Sequence, residues 1–119
     1  MRILVTGSES FIGKTLISQL QTTGHEIIGF DSLEPTNPTY EFHQIDIRNP
    51  EINKLIPRNT DVLIHLAALS RDSDCKNKAI ECFDVNVMGT LNLIKAAQLQ
   101  KVKQFIFASS EWVYDKFID

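Results

Sequence analysis

The sequence lacks any apolar run near the roughly 18 residues that a membrane-crossing helix requires. It also lacks a basic excess, since 12 lysines and arginines stand against 15 acids, for a formal net charge of −3. That balance leaves no electrostatic footprint for nucleic acid or for an anionic membrane surface. Cysteine is scarce: Cys75 and Cys82 are the whole supply, so no disulfide framework is expected. The two are seven apart and are expected on one helix, as reduced thiols of a cytoplasmic protein. His25, His43 and His65 show no metal-ligand spacing with either cysteine, so no metal site is expected. Residues 1–7 are too short in their apolar part for a signal peptide. No internal repeat, low-complexity tract or interdomain linker interrupts the chain. The 119 residues are 43% apolar and 23% charged, which argues against disorder and for one domain over residues 1–119.

What is present is a series of short apolar runs separated by turns. Ile3-Leu4-Val5 ends at Thr6-Gly7-Ser8, as a strand buried on both faces would. Phe11, Ile12, Leu16, Ile17 and Leu20 then recur at helical spacing, and Gly24 supplies a stop. Residues 26–31 read as a second strand ending on Asp31. Pro35, Asn37 and Pro38 mark residues 33–40 as a loop. Residues 41–47 read as a third strand. Asn49 and Pro50 look like the N-cap and first position of a short helix that stops near Pro57. Residues 61–66 read as a fourth strand. Ile80, Phe83, Val87, Leu91, Ile94 and Ala97 give residues 79–100 a long helical pattern, and residues 104–108 read as a fifth strand. The alternation predicts an α/β fold, with a doubly wound parallel sheet between two helix layers. Right-handed crossovers favour the strand order 3-2-1-4-5.

Gly7-Ser8-Glu9-Ser10-Phe11-Ile12-Gly13 lies between the first strand and the first helix. In such a turn the first glycine permits the bend, the second admits a pyrophosphate close to backbone, and the third lets helix and strand pack. N–H groups at the helix start then face the phosphates. Here the middle position is Ser10, whose hydroxyl serves either as the helix N-cap or as a phosphate donor. Asp31 follows Gly7 by 24 positions, at the end of the second strand. An acid there bonds ribose hydroxyls and repels a 2′-phosphate. Loop and acid together point to a dinucleotide, NAD in preference to NADP.

Further along, Asp46-Ile47, His65-Leu66-Ala67-Ala68, Asn86-Val87-Met88-Gly89-Thr90-Leu91-Asn92-Leu93 and Phe105-Ile106-Phe107-Ala108-Ser109-Ser110, then Val113-Tyr114, complete an ordered set. With the opening Ile3-Leu4-Val5-Thr6-Gly7, it resembles the NAD-dependent epimerase/dehydratase family, the extended short-chain dehydrogenase/reductases that modify nucleotide sugars. The resemblance runs from residue 1 to about 115. It implies that Asp46 and Ile47 contact adenine. Leu66, Ala67 and Ala68 would let the cofactor lie against backbone, and Asn86 would support the cofactor region. Phe11, Ile12 and Ser109 join the implied cofactor contacts, and Ser110 is the implied serine that hydrogen-bonds the reacting oxygen. His65 is read as a core or backbone-bonded histidine.

The same resemblance implies a Tyr-x-x-x-Lys pair for proton transfer, because a phenol near pKa 10 is a weak base at pH 7. No such pair occurs: Tyr40 is followed four on by Gln44, and Tyr114 by Ile118. Tyr114 instead matches a second family tyrosine. Glu111 occupies one acid position of the dehydratase branch, but Trp112 stands where the other belongs, which favours an epimerase- or reductase-like parent. Asp115 replaces the glycine usual after that tyrosine. The expectation is the NAD-binding portion of a nucleotide-sugar enzyme, without activity of its own. The alternatives are a non-catalytic NAD-binding or interaction module and a truncated relic. An uncovered apolar edge at the fifth strand would favour a homo-oligomer.

Overall fold

The computed structural model describes residues 1–114, with the Trp112 side chain left aside. Asp115, at the family's glycine position, lies outside the described residues. The chain runs β1 (Arg2–Thr6), α1 (Phe11–Thr22), β2 (Glu26–Asp31), β3 (Glu41–Gln44), a 3₁₀ turn (Ile52–Leu55) and β4 (Val62–His65). It continues through α2 (Asp72–Cys75), α3 (Ala79–Phe83), a π-helical segment (Asp84–Gly89), α4 (Thr90–Leu99), β5 (Gln104–Phe107) and a 3₁₀ turn (Glu111–Tyr114). The five strands form one sheet in the order β3-β2-β1-β4-β5, all neighbours parallel. The expected order therefore holds. Among the described residues no helix is long and apolar enough to cross a membrane.

Side chains alternate across the sheet with the period of two that strands impose. Ile3, Val5, Ile27 and Val62 point to one face and bury Ile17 of α1. Leu4, Ile28, Phe30 and Leu63 point to the other and meet Ile45, Ile47, Ile52, Leu93, Ala96 and Ala97. One cross-strand row spans all five strands. Register pairs His43 with Phe30, Phe30 with Thr6, Thr6 with His65, and His65 with Phe107. This row lies at the carboxyl ends of the strands, with polar groups at its centre.

Four expectations change. The third strand ends at Gln44, because the Ile45 N–H turns to the Asp31 carbonyl (2.8 Å) and the chain folds into a turn at Asp46. The short helix is a 3₁₀ turn beginning at Ile52. Asn49 still caps its approach, with Oδ1 accepting the Glu51 N–H at 2.9 Å. The long helix is not uniform. Its π segment widens one turn, and the buried face becomes Gly89, Leu93, Ala96 and Ala97, while Ile80 (88%) and Leu91 (55%) are exposed. Finally, Cys75 and Cys82 are neither on one helix nor reduced. They are disulfide-bonded across the break between α2 and α3, with Cα atoms 5.3 Å apart. Seven residues along a continuous helix would separate them by about 10.5 Å, beyond the reach of a disulfide. The helix instead breaks at residues 76–78, where Asn77 adopts φ +61°, a conformation that asparagine tolerates better than most residues.

The two faces of α4 give a direct test. Leu93→Ala should destabilise the fold by about 2–5 kcal/mol, the range for an emptied core leucine. Leu91→Ala, at an exposed position, should stay within about 0.5 kcal/mol of wild type. Urea unfolding of both variants checks the assignment, and equal losses would refute it.

Candidate functional site

The loop after β1 is closed from three sides. The Gly7 N–H bonds the Phe30 carbonyl at 2.8 Å, and Gly7 takes φ +71°, which suits glycine. A Cβ on Gly7 would stand 2.8 Å from the Ala67 nitrogen, so the loop can lie on the end of β4 only without one. A Cβ on Gly13 would stand 2.2 Å from the Gly7 carbonyl oxygen, which explains the second glycine by helix–loop packing. Ser10 resolves the alternative left open by the sequence. Its hydroxyl donates to the Gly7 carbonyl (2.7 Å) and accepts the Gly13 N–H (3.0 Å), so it is the N-cap of α1. Phe11 and Ile12 sit in the first turn, before the helix's own ladder begins. Their side chains are 91% and 63% exposed, on the open edge rather than in the core face that their spacing suggested.

Asp31 ends β2 and ties the loop down. Its Oδ2 accepts the Glu9 N–H (2.9 Å) and its Oδ1 the Leu33 N–H (3.0 Å). Each oxygen retains acceptor capacity for a further donor. The side chain of Glu9 has partners of its own. It accepts the Tyr40 hydroxyl and lies 3.5 Å from Lys14 Nζ. Burial and the bond to Glu9 push the Tyr40 phenol up to about 12, so it stays protonated and keeps donating. Tyr40 reaches this position over Gly29, whose Cβ would lie 2.3 Å from the ring.

Asp46 is held differently. Its carboxylate accepts the backbone N–H of Arg48 (2.8 Å) and a guanidinium nitrogen (2.7 Å), while Arg48 also reaches Asp84 at 3.1 Å. The hydrogen bonds of Arg48 hold the Asp46 carboxyl below the usual carboxylate range. Ile47 is buried against Gly89, and its carbonyl accepts Asn92 Nδ2 at 2.8 Å.

At the centre of the edge is His65, 2% exposed. The Ala67 N–H donates to Thr6 Oγ1 (3.3 Å), and Thr6 Oγ1 is 2.7 Å from His65 Nδ1. His65 Nε2 is 2.8 Å from Thr90 Oγ1, which donates to the Asn86 carbonyl at 2.6 Å. Because the Thr90 proton is already used, the ring must donate at Nε2 and accept at Nδ1. The histidine is a core residue, as expected, but it is bonded through side chains rather than backbone. Burial lowers its pKa to about 4. Asn86 in turn brackets Leu69, accepting its N–H (2.8 Å) and donating to its carbonyl (2.9 Å). Leu66, Ala67 and Ala68 therefore run between the glycine loop and the π segment. Ser109 and Ser110 follow β5 on the same edge and are exposed, with the Ser110 carbonyl accepting the Val113 N–H at 3.2 Å. Sequence reasoning missed Thr6, Thr90, Arg48 and Tyr40. Only Thr6, a hydroxyl between an apolar strand and a glycine, carried a visible signal.

A parallel sheet in the order 3-2-1-4-5, with a glycine loop where β1 and β4 diverge, defines a Rossmann-type α/β protein. The chain belongs to the NAD dependent epimerase/dehydratase family, whose family model matches residues 3–119. A UDP-glucose 4-epimerase of Klebsiella pneumoniae is 34% identical over 128 residues, covering 96% of this chain and 92% of that relative. A 3 beta-hydroxysteroid dehydrogenase/Delta 5-->4-isomerase of Mycobacterium tuberculosis (strain CDC 1551 / Oshkosh) is 34% identical over 122 residues, covering 94% of this chain but 32% of that relative. The crystal structure of a UDP-glucose-4-epimerase from Stenotrophomonas maltophila, with bound NAD and formylated UDP-arabinopyranose, superposes with TM-score 0.86 at 30% identity. It covers 96% of this chain and 38% of that one.

His65 makes stability depend on pH. Between its ordinary value of 6.5 and about 4, the unfolded chain takes up a proton that the folded chain refuses. Stability is thus full above pH 6.5 and falls as pH drops, by about 2 kcal/mol between pH 7 and pH 5. Urea unfolding at both pH values should show this loss, and His65→Gln should remove most of it. A slope unchanged in the variant would refute the assignment.

Proposed function

We propose that this chain is the NAD-binding portion of a nucleotide-sugar epimerase-like oxidoreductase. The observation that carries the reading is the Gly7–Gly13 loop, capped by Ser10 and tethered by Asp31, lying on the Ala67 backbone at the switch point of the sheet. The residues fit a dinucleotide. The first turn of α1 offers N–H groups at the positive end of its dipole, and Asp31 keeps free acceptor capacity. Gly7, Ser10, Phe11, Ile12 and Gly13 would hold the pyrophosphate, Asp31 the ribose and the Asp46–Ile47 turn the adenine. Leu66, Ala67, Ala68, Asn86 and Ser109 would line the remainder, with Ser110 hydrogen-bonding the reacting oxygen. When bound, NAD supplies a hydride acceptor.

Relatives with UDP-glucose 4-epimerase names support a nucleotide sugar as the substrate of the complete enzyme. The 119 residues contain no Tyr-x-x-x-Lys pair, so the role we assign to them is cofactor binding rather than proton transfer. We place the protein in the cytoplasm. Exposed Ile80, Phe83 and Leu91 on the long helix, and Ile106 and Phe107 on β5, favour self-association.

Calorimetric titration with NAD and NADP tests the reading. NAD should bind, and NADP should bind at least about tenfold more weakly, the penalty expected when a phosphate meets the Asp31 carboxylate. Ser10→Gly should leave NAD affinity unchanged or raise it, since it frees the Gly13 N–H and removes a Cβ from the loop. No binding of either nucleotide at millimolar concentration would refute the proposal.

A further inference from the structure

The segment between Leu69 and the π helix has little to hold it in place. α2 has four residues and α3 five, neither buries a side chain fully, and helices so short do not persist on their own. Local bonds close the first turn, where the Asp74 carboxylate accepts the Arg71 N–H at 3.2 Å. The one covalent tie is the Cys75–Cys82 disulfide, which fixes the Cα atoms at 5.3 Å across the break at residues 76–78. Both cysteines are part-exposed, within reach of a small reductant. The tie also touches the candidate site. Cys82 Sγ lies 3.4 Å from Asn86 Nδ2, the nitrogen that donates to the Leu69 carbonyl, while Asn86 Oδ1 accepts the Leu69 N–H. Leu69 directly follows Leu66-Ala67-Ala68, the stretch against which the glycine loop rests.

We infer that Cys75 and Cys82 form a reversible thiol–disulfide site whose oxidised state clamps the dinucleotide cleft through Asn86. The inference rests on the dinucleotide reading of that cleft. The chemistry is exchange with a dithiol. One thiolate of the reductant attacks Cys75 or Cys82 Sγ, forming a mixed disulfide and releasing the other cysteine as a thiolate. The second thiol of the reductant then closes its own disulfide and frees the remaining cysteine. The protein gains two electrons and two protons, and the dithiol loses them. Disulfides of cytoplasmic proteins are characteristically of this transient, responsive kind. Reduction releases the break between α2 and α3, loosens the hold on Asn86 and leaves Leu69 free to move. Coupling of this sort is reciprocal, so bound dinucleotide must resist reduction by the same factor by which oxidation favours binding.

The test uses the full chain in both redox states, with dithiothreitol as reductant and NAD as ligand. The oxidised chain should bind NAD about fivefold or more tightly than the reduced chain, the lower end of ordinary coupling. Saturating NAD should move the midpoint of the dithiol titration about 20 mV more negative for a fivefold effect, since tenfold corresponds to about 30 mV. Amide exchange at Leu69 should be slower in the oxidised chain, with or without NAD. The Cys75→Ser/Cys82→Ser variant should bind as the reduced wild type does and ignore dithiothreitol. Equal NAD affinity in both states, equal Leu69 exchange, or a dithiothreitol response surviving in the double variant would each overturn the clamp while leaving the cofactor reading intact. Failure of NAD to bind either state would overturn both, and is told apart by the missing binding heat in the oxidised chain.

Discussion

One neutral imidazole joins the elements that border the proposed dinucleotide site. His65 sits on β4, accepts from Thr6 on β1 and donates to Thr90 at the start of α4. Every group in the chain from the Ala67 N–H to the Asn86 carbonyl is used once, in one direction. A protonated ring would have to donate at both nitrogens. Thr6 Oγ1 would then accept from His65 as well as from Ala67, leaving its own proton pointed at a donor. Burial and geometry therefore agree on the uncharged ring, and an unsatisfied buried polar group is costly enough to enforce it. The link spans the place where β1 and β4 part company, which is where a parallel sheet opens toward a ligand.

The close contacts around the site depend on that link. Thr6 holds the Ala67 N–H, which sets the start of the post-β4 segment beneath Gly7. Thr90 holds the Asn86 carbonyl, and Asn86 holds both backbone groups of Leu69. A hydroxyl bonded to the carbonyl four residues back tends to perturb a helix, and the π turn lies at this point. Gly89, having no Cβ, lets Ile47 pack closely against the helix beside the turn at Asp46. Asn92 fastens that turn by donating to the carbonyls of Ile47 (2.8 Å) and Asn49 (2.9 Å).

The strands were legible because apolar runs bounded by turn residues have few other uses, and their order followed from crossover handedness. Gly7, Gly13 and Asp31 were legible because their spacing reflects backbone geometry. The buried face of the long helix was not. The apolar pattern suggests the buried face, but Ile80 and Phe83 before the π segment, Val87 within it and Leu91 after it are all exposed. Gly89, Leu93 and Ala96, small and apolar residues outside that pattern, do the packing together with Ala97. The cysteine pair escapes a sequence reading because its spacing suggests continuous helix through Asn77, where the backbone turns left-handed. Arg48 and Tyr40 gave no sign, because their partners are distant in sequence or set by a turn.

The charges at the rim are not equivalent. Asp46 is neutralised by Arg48, which also engages Asp84, and Glu9 has Lys14 beside it. Asp31 is bonded only by the backbone N–H groups of Glu9 and Leu33, with no cation paired to it among the described residues. Backbone donors orient a carboxylate and satisfy part of its hydrogen-bonding capacity, but they leave its net charge in place. In the proposed dinucleotide site, Asp46 would thus act as a fixed acceptor of little net field. Asp31 would present an uncompensated negative charge beside the ribose. Discrimination against a 2′-phosphate would then reside in this one residue. The same bond that aims Asp31 also shapes the loop through the Glu9 N–H, so in the proposed site selectivity for the ribose and the geometry of the glycine loop would share a single side chain.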